Sequence, residues 1–451
     1  MRRDPDVGPL ETVRLPLEDN ASRSGPFSWA QLGITEGYLE EVDLPPEVRA
    51  KFDLHATLNL RGRWRSPAAD VIETLRRIVN RHECFRTTVH DLLAERPNQK
   101  VNSVTTFPVV VSETCSGGST EALRNELCGN LIDVRDPHLV RIGMANSQDV
   151  CESIVISASR MVVDGWGFSN LARNIMQEIG GKEEAHSPDF HQLDQVAWED
   201  GAAGQARHIA AMAFREQVLE QLLAASIPSR PRLSPTHGYE ARCEGSAITG
   251  LCERIAARYS TSPSSVLLAA FGHTVSRLLN QKKIGITLSY ADRGDASRKS
   301  SVTRLKNEAI MAYADGDSFP CVLQKTFQSA LSAYSRAGVD PVALRRAGVS
   351  AALHGAQDVR FEFNDARGPF HRNDRLHGTA RPAHGADDRI GGPRVRTVID
   401  GKPPRLGLWV GPSFSDFAGK TSLTVRTNIL SREDTAAVLR GTIDVLRNQA
   451  V

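Results

Sequence analysis

Ser153-Ile154-Val155-Ile156-Ser157, followed by Ser159-Arg160-Met161-Val162-Val163-Asp164-Gly165-Trp166, carries the most informative local pattern of the chain. Its first part is short, β-branched and nearly continuous in apolar residues, as expected of a strand buried on both faces. A loop holding the turn dipeptide Asp164-Gly165 comes next. Leu171, Ile175 and Ile179 then recur at helical spacing. With helices between strands in both halves of the chain, the element order points to an α/β or α+β architecture in two lobes.

The same alternation continues outward in both directions. Upstream, Val71, Ile72, Leu75, Ile78 and Val79 draw one apolar stripe on a helix over 68–83, closed by Arg81-His82-Glu83-Cys84-Phe85-Arg86-Thr87. Downstream, about 180–205 is rich in Gly, Glu, His and Asp and is expected to be a linker, with Leu193-Asp194-Gln195-Val196-Ala197-Trp198 inside it. A helix over about 207–225 follows, and Ser262-Pro263 opens another that runs to about Asn280, with proline at its first position. Ile284 to Tyr290 reads as a strand, closed by Ser289-Tyr290-Ala291-Asp292-Arg293, and Ser431 with Asp434 starts the last helix. The expected domain plan is a flexible N-terminal arm over 1–25, an N-terminal lobe over 26–200, and a C-terminal lobe over 201–451 with a mobile loop near 365–395.

Composition narrows the class. The chain has 451 residues, 40% hydrophobic and 24% charged, which is ample for a sizeable core, and its formal charge of +2 marks no broad nucleic-acid-binding field. Ten Lys stand against 45 Arg. That imbalance suits planar, bidentate pairing, but codon bias explains it as well. Seven cysteines, an odd number at irregular spacing and without CxxC, argue against a disulfide framework and a zinc site. No apolar run approaches the ~20 residues of a membrane span and no signal-peptide pattern opens the chain, so a cytoplasmic protein with reduced thiols is expected.

Several tempting motifs fail. Gly419-Lys420-Thr421 would close a phosphate-binding loop, but the pattern needs glycine where Phe414 stands. Gly117-Gly118-Ser119 reads as a turn, no GxSxG elbow is present, and the 13 histidines form no HExxH pattern. His371, His377 and His384 fall in the expected loop.

What remains is a constellation of four stretches in a fixed order: 81–87, 159–166, 193–198 and 289–293. Together they resemble the condensation domains of nonribosomal peptide synthetases, within the chloramphenicol-acetyltransferase-like superfamily. Arg81 to Thr87 is similar to RHExLRT, and 159–165 to HHxxxDG. Asp194 and Trp198 resemble a YxDYxxW-like motif, and Pro26-Phe27-Ser28-Trp29-Ala30-Gln31 resembles an opening PLSxxQ stretch. The likeness runs from about residue 24 to 448, with no adenylation or carrier signature, as in a free-standing condensation protein. It implies two acetyltransferase-like lobes forming a V-shaped pseudo-dimer, each a mixed sheet flanked by helices, with a tunnel between them. It also implies a peptidyl or acyl carrier protein as partner. That partner would supply a phosphopantetheine thioester, the acceptor would be a small molecule or carrier-bound, and the chain itself would bind no cofactor and no metal. Neither nucleic acid nor membrane is an expected partner.

By the resemblance, Asp164 pairs with Arg293 and ties the lobes together, while Gly165 allows a tight backbone approach. Arg81, His82 and Arg86 belong to the structural motif. The departure lies in the histidines. Ser159 and Arg160 stand where the family carries two His, and a guanidinium has no lone pair with which to take a proton. Two readings stay open. In one, acyl transfer to an amine or hydroxyl proceeds by positioning, with Arg160 and Ser159 as the catalytic candidates. In the other, the module is inactive and recruits a carrier protein or a tailoring enzyme such as a cytochrome P450, as related degenerate domains with Arg at this position do. His55, His82 and His273 are the other ordered candidates for a base.

Overall fold

The computed structural model describes residues 10–18, 21–41, 53–113, 119–129, 132–181, 190–223, 237–245, 247–316, 318–347, 360–367, 390, 392–399, 405–412 and 421–450. The chain divides into two compact units: Met1–Ala202 with Ala291–Lys306, and Ala203–Tyr290 with Asn307–Val451.

The first unit is built on a six-stranded mixed sheet. Its spatial order is Leu10–Pro16, Thr106–Glu113, Val140–Ser147, Val150–Ala158 and Leu54–Asn59, with Ser66–Pro67 paired to the outer part of Val150–Ala158. Thr106–Glu113 and Val140–Ser147 run parallel, and the other neighbours are antiparallel. The β-branched run of Val150–Ala158 is buried from Ser153 onward because both faces are covered. Val155 packs with Leu123 and Leu127 of the helix Ser119–Cys128. Ile154 and Ile156, alternating to the other face, lie on the side of the helix Gly165–Ile179. That helix packs in turn on Ala68–Arg81, whose stripe of Val71, Leu75, Ile78 and Val79 is buried as its periodicity predicts. A second, three-stranded sheet orders Arg23–Pro26, Asn98–Val101 and Thr87–His90.

The N-terminal arm expected over 1–25 is corrected here. Leu10–Pro16 is an edge strand in register with Thr106 to Ser112, and Arg23–Pro26 is an edge strand against Asn98 to Val101. Leu15 is buried and each segment is paired along its length with one neighbouring strand, so these residues do not hang loose. The expected linker also gains structure: Gln192–Asp200 is a helix, and only 182–189 of it lies outside the described residues.

The second unit carries a seven-stranded sheet. The order is Lys306–Ala314, Lys283–Ala291, Arg360–Asp365, Arg405–Pro412, Thr421–Thr427, His237–Gly245 and Arg394–Ile399. The pairs flanking Arg360–Asp365 are parallel, so this sheet is mixed as well. The helix Pro263–Leu279 is buried almost all round, from Val266 to Phe271, and forms the centre of the unit's core. Ser262 caps it, its Oγ accepting from Ser265 N at 3.1 Å, and Asn280 ends it in the left-handed conformation at φ 52°. Ser431 caps the last helix, Arg432–Ala450, by accepting from Asp434 N at 3.0 Å. The loop expected near 365–395 lies for the most part outside the described residues.

Candidate functional site

The loop after the buried strand takes its shape from its own side chains. Ser159 N extends the ladder by donating to Leu139 O at 2.8 Å. Its carbonyl then accepts from Val162 N at 3.2 Å and Val163 N at 3.3 Å, and its hydroxyl accepts from Met161 N at 3.3 Å. Ser159 is therefore the closing residue of a turn. Met161, Val162 and Val163 point into the core and pin the loop, and Asp164 caps the helix Gly165–Ile179 by accepting from Gly167 N at 2.7 Å. From Ser159 to Asp164 every residue is buried except Arg160, which is half-buried.

Asp164 is 1% exposed and fully partnered. Oδ1 also accepts from Arg293 Nη2 at 2.8 Å, and Oδ2 accepts from Leu305 N at 2.7 Å. Burial alone would raise this carboxyl, but the Arg293 guanidinium and then the N–H groups of Gly167 and Leu305 hold it below the usual carboxylate range. Arg293 also donates to three carbonyls, Nη1 to those of Arg298 and Ser301 and Nη2 to that of Thr303. These acceptors all lie within Ala291–Lys306, which clusters with the first unit rather than with the C-terminal lobe in which it was expected. The Asp164–Arg293 bond is therefore an internal bond of one unit, not a tie between two lobes. A second expectation is corrected as well. A Cβ at Gly165 would meet nothing within 4 Å, whereas one at Gly167 would lie 2.4 Å from Val302 O. The close backbone approach thus falls two residues later, where the first helical turn faces the segment 302–303.

Three further residues hold the loop from below, and the reading of motifs did not single them out for this role. Arg304 donates through Nη1 to Arg160 O at 2.9 Å and through Nε to Ala30 O at 2.9 Å. Gln31, from the opening motif, donates to Met161 O at 3.2 Å and shares a buried network with Gln99 and Ser28. Gln192 donates to Ser28 Oγ at 2.7 Å and accepts from Arg304 N at 3.1 Å. The carbonyls of Arg160 and Met161 are thereby fixed by side chains from two other parts of the unit.

The helix-end motif is anchored nearby. Arg81 Nη1 donates to Glu178 Oε1 at 2.6 Å. His82 is buried beside Asn174, 3.3 Å from its amide, and burial followed by the charges of Arg81 and His191 pushes its pKa down to about 3, so it is a neutral imidazole. Arg86 Nη1 donates to the carbonyls of Ala21 and Asn102 at 3.1 and 3.3 Å. Glu83 and Asp194 are bridged by Arg23, which is bidentate to Glu83 at 2.9 and 2.8 Å and donates to Asp194 at 2.7 Å. Arg298 stacks over Trp198 at 4.2 Å from the ring centroid. A small cavity is lined by His82, Cys84, Val162, His191 and Val302. Of the other histidines, His55 pairs in register with Ser157, and His273 sits in the second unit with Nδ1 2.8 Å from Asp315 Oδ1.

One ionisable group of this region went unread in the sequence. Asp53 precedes the strand Leu54–Asn59, is 6% exposed and accepts from Ile132 N at 2.7 Å. Burial pushes its carboxyl up to about 7, against the pull of the Ile132 N–H and of the Arg160 and Arg141 charges. A lone Asp before an alternating strand carries no signal of that kind. Among the described residues no group of three or more His, Cys, Asp or Glu could hold a metal ion, and no helix is long and apolar enough to cross a membrane.

With this geometry in hand, the comparisons agree on one class. The family model described as the condensation domain matches residues 53–305, more than half of the chain, and the chain belongs to that family. A condensation domain mediating chain release from the enacyloxin polyketide synthase is similar in fold, with a TM-score of 0.72 at 17% identity over 96% of this chain and 84% of that one. The SgcC5 protein of Streptomyces globisporus matches with a TM-score of 0.65 at 16% identity over 94% and 98%. The X-domain from teicoplanin biosynthesis matches with a TM-score of 0.62 at 15% identity over 96% of each chain. No curated protein matches.

Proposed function

We propose that the chain transfers an acyl group from a carrier-bound phosphopantetheine thioester to an amine or hydroxyl acceptor, with Arg160 as the residue at the reacting centre. The observation that carries this reading is the loop Ser159–Asp164, in which every side chain but that of Arg160 is buried, the Arg160 carbonyl is held by Arg304 and the Asp164 carboxylate by Leu305 N. A rigid support for a single half-buried guanidinium is what positioning chemistry needs. The amine attacks the thioester carbonyl, the C–N bond forms as the C–S bond breaks, and the amine's proton leaves with the thiolate. Arg160 N–H groups are suited to the oxyanion that develops on that carbonyl, or to a carboxylate of the acceptor. Ser159 is a turn residue in this scheme, since its hydroxyl already accepts from Met161 N.

The second reading is an inactive module that holds a carrier protein or a tailoring enzyme. It is favoured by the side chains of Ser159 and Arg160, neither of which is a general base near neutral pH. The deciding experiment offers purified chain a carrier-bound thioester and an acceptor amine. Product that falls about 10²-fold in Arg160→Ala supports transfer. No product, together with carrier binding that Arg160→Ala leaves intact, establishes the second reading.

A further inference from the structure

We propose that Arg304 is a positioning residue for Arg160: its guanidinium fixes the peptide from which the Arg160 side chain springs, and so sets where that side chain stands. The inference deepens the reading of Arg160 as the working side chain and rests on it. The stretch Val302 to Leu305, which belongs to the first unit, meets the loop and the helix behind it at three points. Arg304 Nη1 donates to Arg160 O at 2.9 Å, at the start of the loop. Leu305 N donates to Asp164 Oδ2 at 2.7 Å, at its end. Val302 O lies so near Gly167 that a Cβ there would stand 2.4 Å away. These contacts make the stretch a template along which the loop is laid.

Arg304 is itself held firmly. It is 5% exposed, and its Nε donates to Ala30 O at 2.9 Å, which ties the first turn of the helix Trp29–Glu41 to the same guanidinium. The Gln192 amide grips its backbone on both sides, accepting from Arg304 N at 3.1 Å and donating to Arg304 O at 3.2 Å. A planar guanidinium presents its donors in a fixed fork, which suits two carbonyls from separate parts of the chain, whereas an ammonium is a point charge on a flexible stem. The other fixed points of the loop do not use this side chain. Asp164 accepts from Gly167 N, Arg293 and Leu305 N, and Met161 O accepts from Gln31. Losing the Arg304 fork therefore leaves the end of the loop in place and frees the Arg160 peptide.

The test uses the full chain with Arg304→Gln and with Arg304→Lys, which keeps a buried cation and serves if the first variant does not fold. In transfer from a carrier-bound thioester to an amine, kcat of the folded protein is expected to fall about 10²-fold in Arg304→Gln and by less in Arg304→Lys. The thioester KM should stay within about threefold of wild type, since the loss falls on the transition state. In an Arg160→Ala background neither substitution should cost anything further, because Arg304 acts through Arg160. A loss that persists undiminished in that background marks a merely structural role and overturns the proposal. A second readout needs no activity. The Nε–H NMR signal of Arg160, assigned by its loss in Arg160→Lys, is expected to be ordered in wild type and to gain fast motion in both Arg304 variants. A signal whose dynamics do not change overturns the proposal too. If wild type transfers nothing, the functional reading fails, while this signal still decides whether Arg304 holds Arg160.

Discussion

Asp164 and Asp53 are buried carboxylates of the same unit, one in the loop after the strand Val150–Ala158 and one at the entry to the strand beside it, and they lie on opposite sides of their ordinary value. Asp164 is the more buried, at 1% against 6%, yet its carboxyl is pulled down while that of Asp53 is pushed up to about 7. Depth does not separate them. Asp164 accepts from two backbone N–H groups and a buried guanidinium at 2.7 to 2.8 Å, whereas Asp53 accepts from one N–H and feels its cations only through space. Donors supplied by the fold decide whether a buried acid is a fixed support or a titrating group. The same unit therefore contains a carboxylate built to stay charged and one able to change.

The largest effect should come from breaking the fixed side. Arg293→Ala would strand the Asp164 carboxylate and also leave the carbonyls of Arg298, Ser301 and Thr303 without their donor. A loss of about 3–5 kcal/mol in urea unfolding at neutral pH is expected. Asp164→Asn in the same background should recover part of it, since the stranded charge is then gone. A double variant whose loss equals the sum of the Arg293→Ala and Asp164→Asn losses would mean that the pair contributes no coupling.

The titrating side should show itself in pH rather than in absolute stability. The folded carboxyl of Asp53 holds its proton to about pH 7, well above the ordinary carboxylate value. Its contribution to stability is therefore full at acid pH and is lost as pH rises toward 7, by on the order of 4 kcal/mol. His82 works the other way. Its folded pKa of about 3 lies below the ordinary imidazole value, so its contribution is present above about pH 6.5 and is lost as pH falls. Asp53→Asn removes only the first dependence. Unfolding of that variant between about pH 4 and pH 7 should show a stability that climbs more steeply with pH than in wild type. Parallel curves for the two proteins would remove Asp53 from the titrating side of the comparison.

Much of the fixed side is legible in the sequence. The β-branched run at 153–157, the Asp-Gly turn and the stripe from Val71 to Val79 are local patterns, and the strand and helices follow from them. The Asp164–Arg293 bond was reached only through the resemblance, and its place inside one unit was not, because spacing along the chain does not say with which sheet a segment packs. Arg304, Gln31 and Gln192 act by tertiary contact and carry no periodicity. Arg23 was hidden for a plainer reason: it lies in an Arg- and Asp-rich stretch, and such charge runs are more often solvated than paired. Its partners are 60 and 171 residues away. Removing it with Arg23→Ala should cost about 1 kcal/mol, since the side chain is 36% exposed and solvent weakens the pair.

The narrowest contrast in position separates two glycines in one turn. Both stand in the loop-to-helix passage, and the Asp-Gly dipeptide draws attention to Gly165. Yet only at Gly167 would a methyl group strike backbone, 2.4 Å from Val302 O and 2.9 Å from Thr303 O. Carbonyls of the segment that also feeds Arg293 cannot yield without loosening the Asp164 site, so Gly167→Ala should destabilise by about 1–3 kcal/mol. Gly165→Ala meets open space and replaces a glycine in the first turn of a helix, where alanine is favoured. It should leave stability within about 1 kcal/mol of wild type and tend to raise it. Thermal unfolding of the two variants side by side reads the contrast directly. A Gly165→Ala variant as damaged as Gly167→Ala would mean that segment 302–303 does not press on the helix where the structure puts it.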